Sequence, residues 1–486
     1  MAVADSSAGM GAGSRGGLPG GFRIVLDAGV RRLDGGAVLR GGAPLRLLRL
    51  TSGGRRLVER LVAGEEVPPT PGAQRLVRRL LASGIGHPVP PLGSLTTDDV
   101  TVVIPTRDSS AGLARTLLTL GPAGRVVVVD DGSADAVATE AVVREHRAEL
   151  LRHDRSLGPG VARESGWRMA STPVVAFVDS ECEPTSGWLA ALLSHLADPE
   201  VAAAAPRIAS GDGSGWLGAY ERVRSPLDMG ARPGPARPRS WVPYVPTAAL
   251  VVRRDALIDI DGFDRDLRYG EDVDLTWRLA QAGWTVRYEP TVIVSHPPRK
   301  TVSAWARQRV AYGTSAAPLA RRHGRAVAPL AVSMWSALVW VLAALGFRKS
   351  AFAVGLSTTA LLVPKLRVLD RPVTEAVHLA GLGHLHAGRS VADAVRRSWW
   401  PIALAAALIS RRARRGVAVA FVLPPVVEWV SARPAGIGPL RWLVARAADD
   451  CAYAAGVWAG CWHERSATAL VPDLSSWPGR RAAVES

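Results

Sequence analysis

Three apolar runs, two of them passing directly into acids, constrain this chain more than any other feature. Val100-Thr101-Val102-Val103-Ile104-Pro105, Val126-Val127-Val128-Val129 and Pro173-Val174-Val175-Ala176-Phe177-Val178 are nearly unbroken and mostly β-branched. Such runs suit strands of a parallel sheet buried on both faces. The second passes into Asp130-Asp131-Gly132-Ser133, the third into Asp179-Ser180-Glu181. Helical stretches at 111–120 and 139–151 separate them, with another opened by Gly158-Pro159-Gly160-Val161-Ala162-Arg163. A helix over 188–197 and a fourth strand over 201–206 follow. The pattern predicts an open α/β sheet with right-handed crossovers. Open parallel sheets bind ligands at the carboxyl ends of their strands, which is where these acids stand.

Further on, Gly262-Phe263-Asp264 and Tyr269-Gly270-Glu271-Asp272-Val273-Asp274 gather five acids, Asp264, Asp266, Glu271, Asp272 and Asp274, in a short stretch. After Asp272 the apolar residues Val273, Trp277, Leu279 and Ala280 fall at helical spacing. Glu271 and Asp272 therefore sit where a loop enters a helix. Free backbone N–H groups and the helix dipole stabilise a carboxylate there. Read locally, this is an acidic helix start. The same dipole would make Asp272 a weaker base.

The chain has 486 residues and a net charge of +16, carried by arginine, since Lys300, Lys349 and Lys365 are its only lysines. Arginine-, alanine- and glycine-rich composition also follows from GC-rich codons, and the charge favours anionic partners. Cys182, Cys451 and Cys461 form no CxxC pair, which points to a reduced compartment and no zinc site. Residues 1–21 are rich in Gly, Ala and Ser without the apolar core of a signal peptide, predicting a disordered, cytosolic N-terminus.

Residues 22–90 read as a small separate module: a strand at 22–26, a hairpin at 30–39 turning on Asp34-Gly35-Gly36, and basic amphipathic helices at 54–63 and 73–83. That order suggests a winged-helix-like unit, for which DNA is a first guess and a solvated arginine face the commoner reading. A Pro-rich linker leads to the α/β domain at 98–315. Residues 326–465 are hydrophobic, and 466–486 form a tail. Residues 327–347 carry no charge, a run long enough to cross a bilayer. Shorter apolar runs at 350–364, 398–410, 416–427 and 451–462 alternate with clusters such as Arg411-Arg412-Ala413-Arg414-Arg415. One or two spanning helices with interfacial segments, or buried helices of a soluble domain, fit this pattern.

Two carboxylates one residue apart at a strand end suit a divalent cation bridging two phosphates. Asp179 and Glu181 have that spacing. An acid at Asp131 could accept from a base N–H. Glu271 or Asp272 could act as general base on an acceptor hydroxyl. Each pair alone is equally a capped helix or turn.

In this order, the motifs resemble those of family 2 glycosyltransferases, inverting enzymes with the nucleotide-sugar-binding GT-A fold. Val102 to Asp108 resembles the first strand and nucleotide loop, including Pro105 and Asp108. Val129-Asp130-Asp131-Gly132-Ser133 is similar to the second, where the second acid contacts uracil. The stretch from Gly158 to Gly166, with Gly160 and Arg163, resembles the following helix, where Glu164 replaces the usual Asn. Asp179-Ser180-Glu181 stands at the Asp-x-Asp metal motif. Gly262-Phe263 through Asp272 and on to Trp277 resembles the acceptor-side motif, with Asp272 at the base position.

The resemblance implies that Asp108 and Asp131 hold a uridine. Asp179 and Glu181 hold Mg²⁺ or Mn²⁺, and Asp272, with Glu271 beside it, is the base. Arg309 stabilises the leaving UDP or is an exposed surface residue. The whole chain resembles one branch more closely, the mycofactocin-system glycosyltransferases. That branch implies β-linked glucose, several units, moved from a UDP-sugar to a small peptide-derived cofactor. It also implies a pathway protein or peptide, rather than nucleic acid, as partner of 22–90, and a site at the cytoplasmic face of the cell membrane. A processive polysaccharide synthase is the alternative enzyme, although the Gln-x-x-Arg-Trp motif of such synthases is absent. A non-catalytic nucleotide-sugar- or DNA-binding regulator is the alternative of another class.

Overall fold

A computed structural model describes residues 16–474. The chain divides into two compact units, one of residues 16–212 and 224–298, the other of 213–223 and 299–474. The expected disorder of 1–15 and the end of the tail from 475 lie outside the described residues.

The first unit begins with the small module. Its elements are β1 (Arg23–Leu26), β2 (Arg31–Leu33), β3 (Val38–Gly41), β4 (Arg46–Arg49), α1 (Ser52–Val62), α2 (Pro71–Ser83) and β5 (Gly86–Val89). β2, β3 and β4 form an antiparallel sheet, and β1 pairs with β5. Thr51 caps α1 by accepting from Gly54 N at 3.1 Å, and Pro71 starts α2, where a missing N–H costs nothing. Phe22, Ile24, Leu39, Val77 and Leu80 fill the core. Leu18 is buried there too, which corrects the expected disorder as far as residues 16–21 are concerned. Arg78 holds the module to the next domain through Asp198, at 2.6 Å.

The α/β domain comprises β6 (Val100–Thr106), α3 (Ser110–Thr119), β7 (Arg125–Asp130), α4 (Ala136–Glu145), β8 (Glu149–Arg152), α5 (Pro159–Arg168), β9 (Val174–Val178), β10 (Glu183–Pro184), α6 (Trp188–His195) and β11 (Val201–Ser210). After α7 (Gly215–Arg224), nearly all of which belongs to the second unit, come β12 (Gly234–Pro235), β13 (Ala249–Arg253), α8 (Arg254–Asp259), α9 (Glu271–Gln281) and β14 (Thr285–His296). The strands order as β10-β14-β11-β13-β9-β6-β7-β8, with β12 beside β14. β7, β6 and β9 run parallel as expected, and β8, which was not expected, joins them in parallel beside β7. β13 runs antiparallel to both β9 and β11, so the sheet is mixed rather than all-parallel.

Residues 149–151, expected to continue a helix, form β8 instead. Arg147 takes a left-handed φ of 54° there, which no continuing helix of L-residues tolerates. Alternate residues of β6 face opposite cores: Val102 and Ile104 pack with Leu113 and Leu192, Val103 with Trp167 and Phe177. Register pairs Thr106 with Asp130 and Asp130 with Arg152. The carboxyl ends of β6, β7 and β8 are therefore level.

The second unit is helical: α7, α10 (Val302–Thr314), α11 (Ala316–His323), α12 (Met334–Ala344), α13 (Arg348–Ala360), α14 (Pro372–Arg397), α15 (Trp400–Ile409), α16 (Arg411–Ala432) and α17 (Pro439–His463), with β15 (Ala331–Val332) and β16 (Asp473–Leu474) paired. α10 and α17 cross closely. A Cβ on Gly313 would stand 2.1 Å from Tyr453 O, and one on Gly456 2.0 Å from Val310 O. Around that crossing, Tyr220, Trp305 and Trp442 are buried.

The run at 327–347 is not one helix. Its helical part is α12, about 16 Å long at 1.5 Å per residue. Pro329 interrupts the run, and Gly346 ends it with φ 86°. Among the described residues one helix, α16, is long and apolar enough to cross a membrane.

Candidate active site

The first wall of the site is built at the level strand ends. Asp130, buried at the end of β7, accepts from Ser133 N at 2.9 Å and pairs with Arg152. Asp131 folds the loop that precedes α5. Its Oδ1 accepts from Leu157 N at 2.8 Å and meets His153 Nδ1 at 2.9 Å. Its Oδ2 accepts from Gly158 N at 2.9 Å and Ser156 Oγ at 2.8 Å. Burial alone would raise its pKa, but these hydrogen bonds outweigh it and hold the carboxyl below its usual value. A base contact at Asp131 would therefore join four existing bonds.

Asp108 follows β6, with φ 51° and an exposed side chain. Its Oδ1 accepts from Ala134 N at 2.8 Å, and the Asp108 N–H donates to Ser133 Oγ at 2.9 Å. Arg107, also exposed, donates to Ser156 Oγ at 2.9 Å. Pro105 is buried within β6, so it shapes this wall without facing it.

One buried arginine joins the remaining acids. Arg163, on the first turns of α5, donates through Nη1 to Glu271 Oε1 at 2.8 Å and through Nη2 to Asp179 Oδ1 at 2.5 Å. Its Nε is buried without a hydrogen-bond partner among the described residues. Burial opposes its charge, but Asp179 and Glu271 more than compensate and raise its pKa. Thus α5 connects the turn after β9 to the start of α9.

Gly270, with φ 81°, turns the chain into α9 and offers no capping side chain. Glu271 is buried and its pKa raised by that burial, against the pull of Arg163. Asp272, half-buried, is pushed up to about 7, first by burial and then by the charge of Glu271. The Val273 N–H, 2.8 Å away, pulls the other way and is too weak. This reverses the expectation from the helix dipole alone. Desolvation and a like charge at close range exceed the dipole's effect.

The turn after β9 carries Asp179 and Glu181. Asp179 is partly exposed, with one oxygen on Arg163. Ser109 Oγ lies 3.4 Å from Glu181 Oε1. Among the described residues no group of three or more His, Cys, Asp or Glu could hold a metal. Two hard oxygen donors fit Mg²⁺ or Mn²⁺, ions that usually take the rest of their shell from phosphate and water.

Other expected residues build the scaffold. Gly262 adopts φ 59°, and a Cβ there would come 2.2 Å from Glu164 Oε2. Phe263 N donates to that same oxygen at 2.9 Å, and its ring meets Phe177 edge-on at 5.1 Å. Trp167 Nε1 and Arg168 Nε also donate to Glu164, at 2.5 and 2.6 Å. Gly160 lies against the Glu271 side chain, and Trp277 Nε1 donates to Pro243 O at 2.7 Å. Arg309 belongs to the second unit. It is buried, not an exposed residue, and its guanidinium is committed to Glu221 and, at 3.1 Å, to Asp449. The sequence reasoning missed His153, Ser156 and Ser109. Each is a common polar residue in a loop, and only the fold shows what it meets.

The chain matches the glycosyl transferase family 2 description over residues 101–260. The pre-mycofactocin glycosyltransferase of Mycobacterium tuberculosis is 41% identical over 470 residues, covering 94% of this chain and 98% of the relative. Glycosyltransferase AglE of Haloferax volcanii is 29% identical, covering 36% of this chain and 57% of its own. Among solved structures, a Pyrobaculum calidifontis mannosyltransferase in complex with GDP-Man and Mn²⁺ aligns with TM-score 0.41 and 18% identity, over 76% of this chain and 90% of that one. Identity sustained over nearly the full length of both chains, around a sheet whose strand ends carry these acids, settles the kinship: the chain belongs to the family 2 glycosyltransferases, in the branch of the pre-mycofactocin glycosyltransferases.

Proposed function

We propose that this enzyme transfers glucose, in β-linkage and several units in succession, from UDP-glucose to the small peptide-derived precursor of mycofactocin, with inversion at the anomeric carbon. The observation that carries the reading is Arg163 bridging Asp179 and Glu271, with Asp272 beside it raised to about 7. A carboxylate of that basicity is suited to take a hydroxyl proton near neutral pH.

In this reading the 107–108 and 131–134 segments, with Asp108 and Asp131, receive the uridine. Asp179 and Glu181 would hold Mg²⁺ or Mn²⁺. That ion supplies charge neutralisation to the diphosphate. Asp272 accepts the proton of the acceptor hydroxyl as its oxygen bonds to the anomeric carbon. The bond to the diphosphate oxygen breaks on the opposite face, and UDP leaves with that electron pair. Glu271, fixed by Arg163, keeps the base buried and orients the acceptor. The module at 22–90 would hold a pathway protein or peptide. Its net charge is +7, from twelve arginines against five acids.

Mass spectrometry of small-molecule extracts from cells with and without the gene tests the proposal. Loss of a ladder of hexose increments on one acceptor supports it. Loss of a polymer instead replaces it with the synthase reading.

A further inference from the structure

One proline-rich segment joins the small module to the helix that carries Asp272. Residues 232–245 hold four prolines, Pro233, Pro235, Pro238 and Pro243, each fixing φ and stiffening the chain. Towards its start, three turns of the module grip it. Asp27, buried between β1 and β2, accepts from Arg232 Nη2 at 2.6 Å. Ala43 O, between β3 and β4, accepts from Arg237 Nη2 at 2.9 Å. Gly84, which ends α2 with φ 70°, faces the Trp241 ring, and a Cβ there would stand 3.3 Å from it. The Arg232 guanidinium lies over the same ring, 3.7 Å from its centre.

At its other end the segment meets α9. Trp277 Nε1 donates to Pro243 O at 2.7 Å. Thr276 Oγ1 accepts from Val245 N at 3.4 Å and donates to Asp272 O at 2.8 Å. Val242 and Val245 are buried in one core with Leu275 and Leu279. Between the ends, β12 pairs with β14, Trp241 Nε1 donates to Pro233 O at 3.1 Å, and Arg237 N donates to Val242 O at 3.1 Å. These bonds and the prolines leave the segment little freedom to absorb a displacement.

We infer that the 22–90 module is a positioning element of the active site: through residues 232–245 it fixes where α9 stands, and so where Asp272 meets the acceptor. The inference rests on the reading of Asp272 as the base. Asp27, Arg232 and Trp241 are then positioning residues that act through it. The uridine wall hangs from other elements, with Asp108 fixed by residues 133–134 and Asp131 by residues 153–158. The module therefore bears on turnover and not on donor binding.

Cutting the segment at either end of the full chain tests this. Arg232→Ala, a change at an exposed position, releases it from Asp27, and Trp277→Phe releases it from α9. Each is expected to lower kcat about 10–100-fold while UDP affinity, measured by calorimetry, stays within about twofold, because a shift of about 1 Å in a reacting group costs about 100-fold. The double variant is expected to fall no further than the worse single variant, since the second cut lies on a path already broken. Arg232→Lys keeps a cation between Asp27 and Trp241 and is expected to recover most of the rate. Hydrogen exchange followed by mass spectrometry gives a readout without turnover. In Arg232→Ala the amides of 274–279 are expected to exchange faster and those of 126–131 at the native rate. A native chain that transfers no sugar would sink the base assignment, and exchange would still decide the grip on α9. Losses that multiply in the double variant, UDP affinity that falls with kcat, or unchanged exchange at 274–279 would each overturn the inference.

Discussion

Arg163 and Glu271 are joined by a 2.8 Å hydrogen bond that runs from the start of α5 to the first residue of α9. The other arm of the same guanidinium holds Asp179 at 2.5 Å. A single buried cation thus holds both acid sets in place. Removing it leaves two carboxylates facing each other without a counter-ion. Arg163→Ala is expected to destabilise the first unit by about 3–5 kcal/mol, read from urea unfolding. Arg163→Lys restores the charge without the fork and is expected to recover only part of that. Unaltered stability in the alanine variant would mean that the bridge is incidental.

Asp272 carries the proposed proton transfer. Asp272→Asn is expected to lower kcat by at least about 10³-fold while UDP binding, measured by calorimetry, changes less than about twofold. Turnover near the native rate would remove Asp272 from the base position.

The pH profile follows from the environment of Asp272. Its carboxyl is pushed up to about 7, so the basic form is lost as pH falls through that value. kcat is therefore expected to rise with pH and level off above 7. Because the charge of Glu271 is one cause of the shift, Glu271→Gln is expected to move this limb to lower pH. A limb that stays in place would show that Glu271 does not tune the base.

A raised carboxyl also bears on stability, with the opposite sign to a salt-bridged acid. The folded state holds its proton longer than the unfolded chain, so stability falls as pH rises from the ordinary carboxyl range through about 7. Asp272→Asn removes that charge. At pH 8 it is expected to raise Tm by about 2–5 °C even as activity is lost, with little gain at pH 4. Scanning calorimetry at both pH values decides it.

Glu181 tests the cation. Glu181→Gln is expected to weaken UDP binding about 10–100-fold when Mn²⁺ is present and to leave the metal-free affinity unchanged. The same affinity with and without Mn²⁺ in the native protein would remove the metal from the reading.

The parts legible in the sequence were those dictated by local chemistry. Val126-Val127-Val128-Val129 and Val174–Val178 announce buried parallel strands because both faces are apolar, and the acids that follow them mark the ligand edge. β13 and β14 were not foreseen, because Ala249–Arg253 is short and Thr285–His296 contains Pro290 and charged residues. Arg163 and Arg309 look alike in sequence, yet each is buried with a different pair of acids in a different unit. That partnership is set by tertiary placement, which spacing does not reveal. The uncharged run at 327–347 has the composition of a span, but Pro329 and Gly346 cut the helix within it to half that length.

Three donors meet Glu164, Phe263 N, Trp167 Nε1 and Arg168 Nε, at the position where the family resemblance leads one to expect Asn. An asparagine has one carbonyl oxygen and no charge to offer. The backbone N–H of Phe263 cannot be mutated away, so the side chains must yield. In evolutionary terms, positions 164, 167 and 168 form a linked set. Relatives with Asn at 164 are expected to lack Trp at 167 and Arg at 168 as well, a trace readable in genomes before any of these proteins is purified.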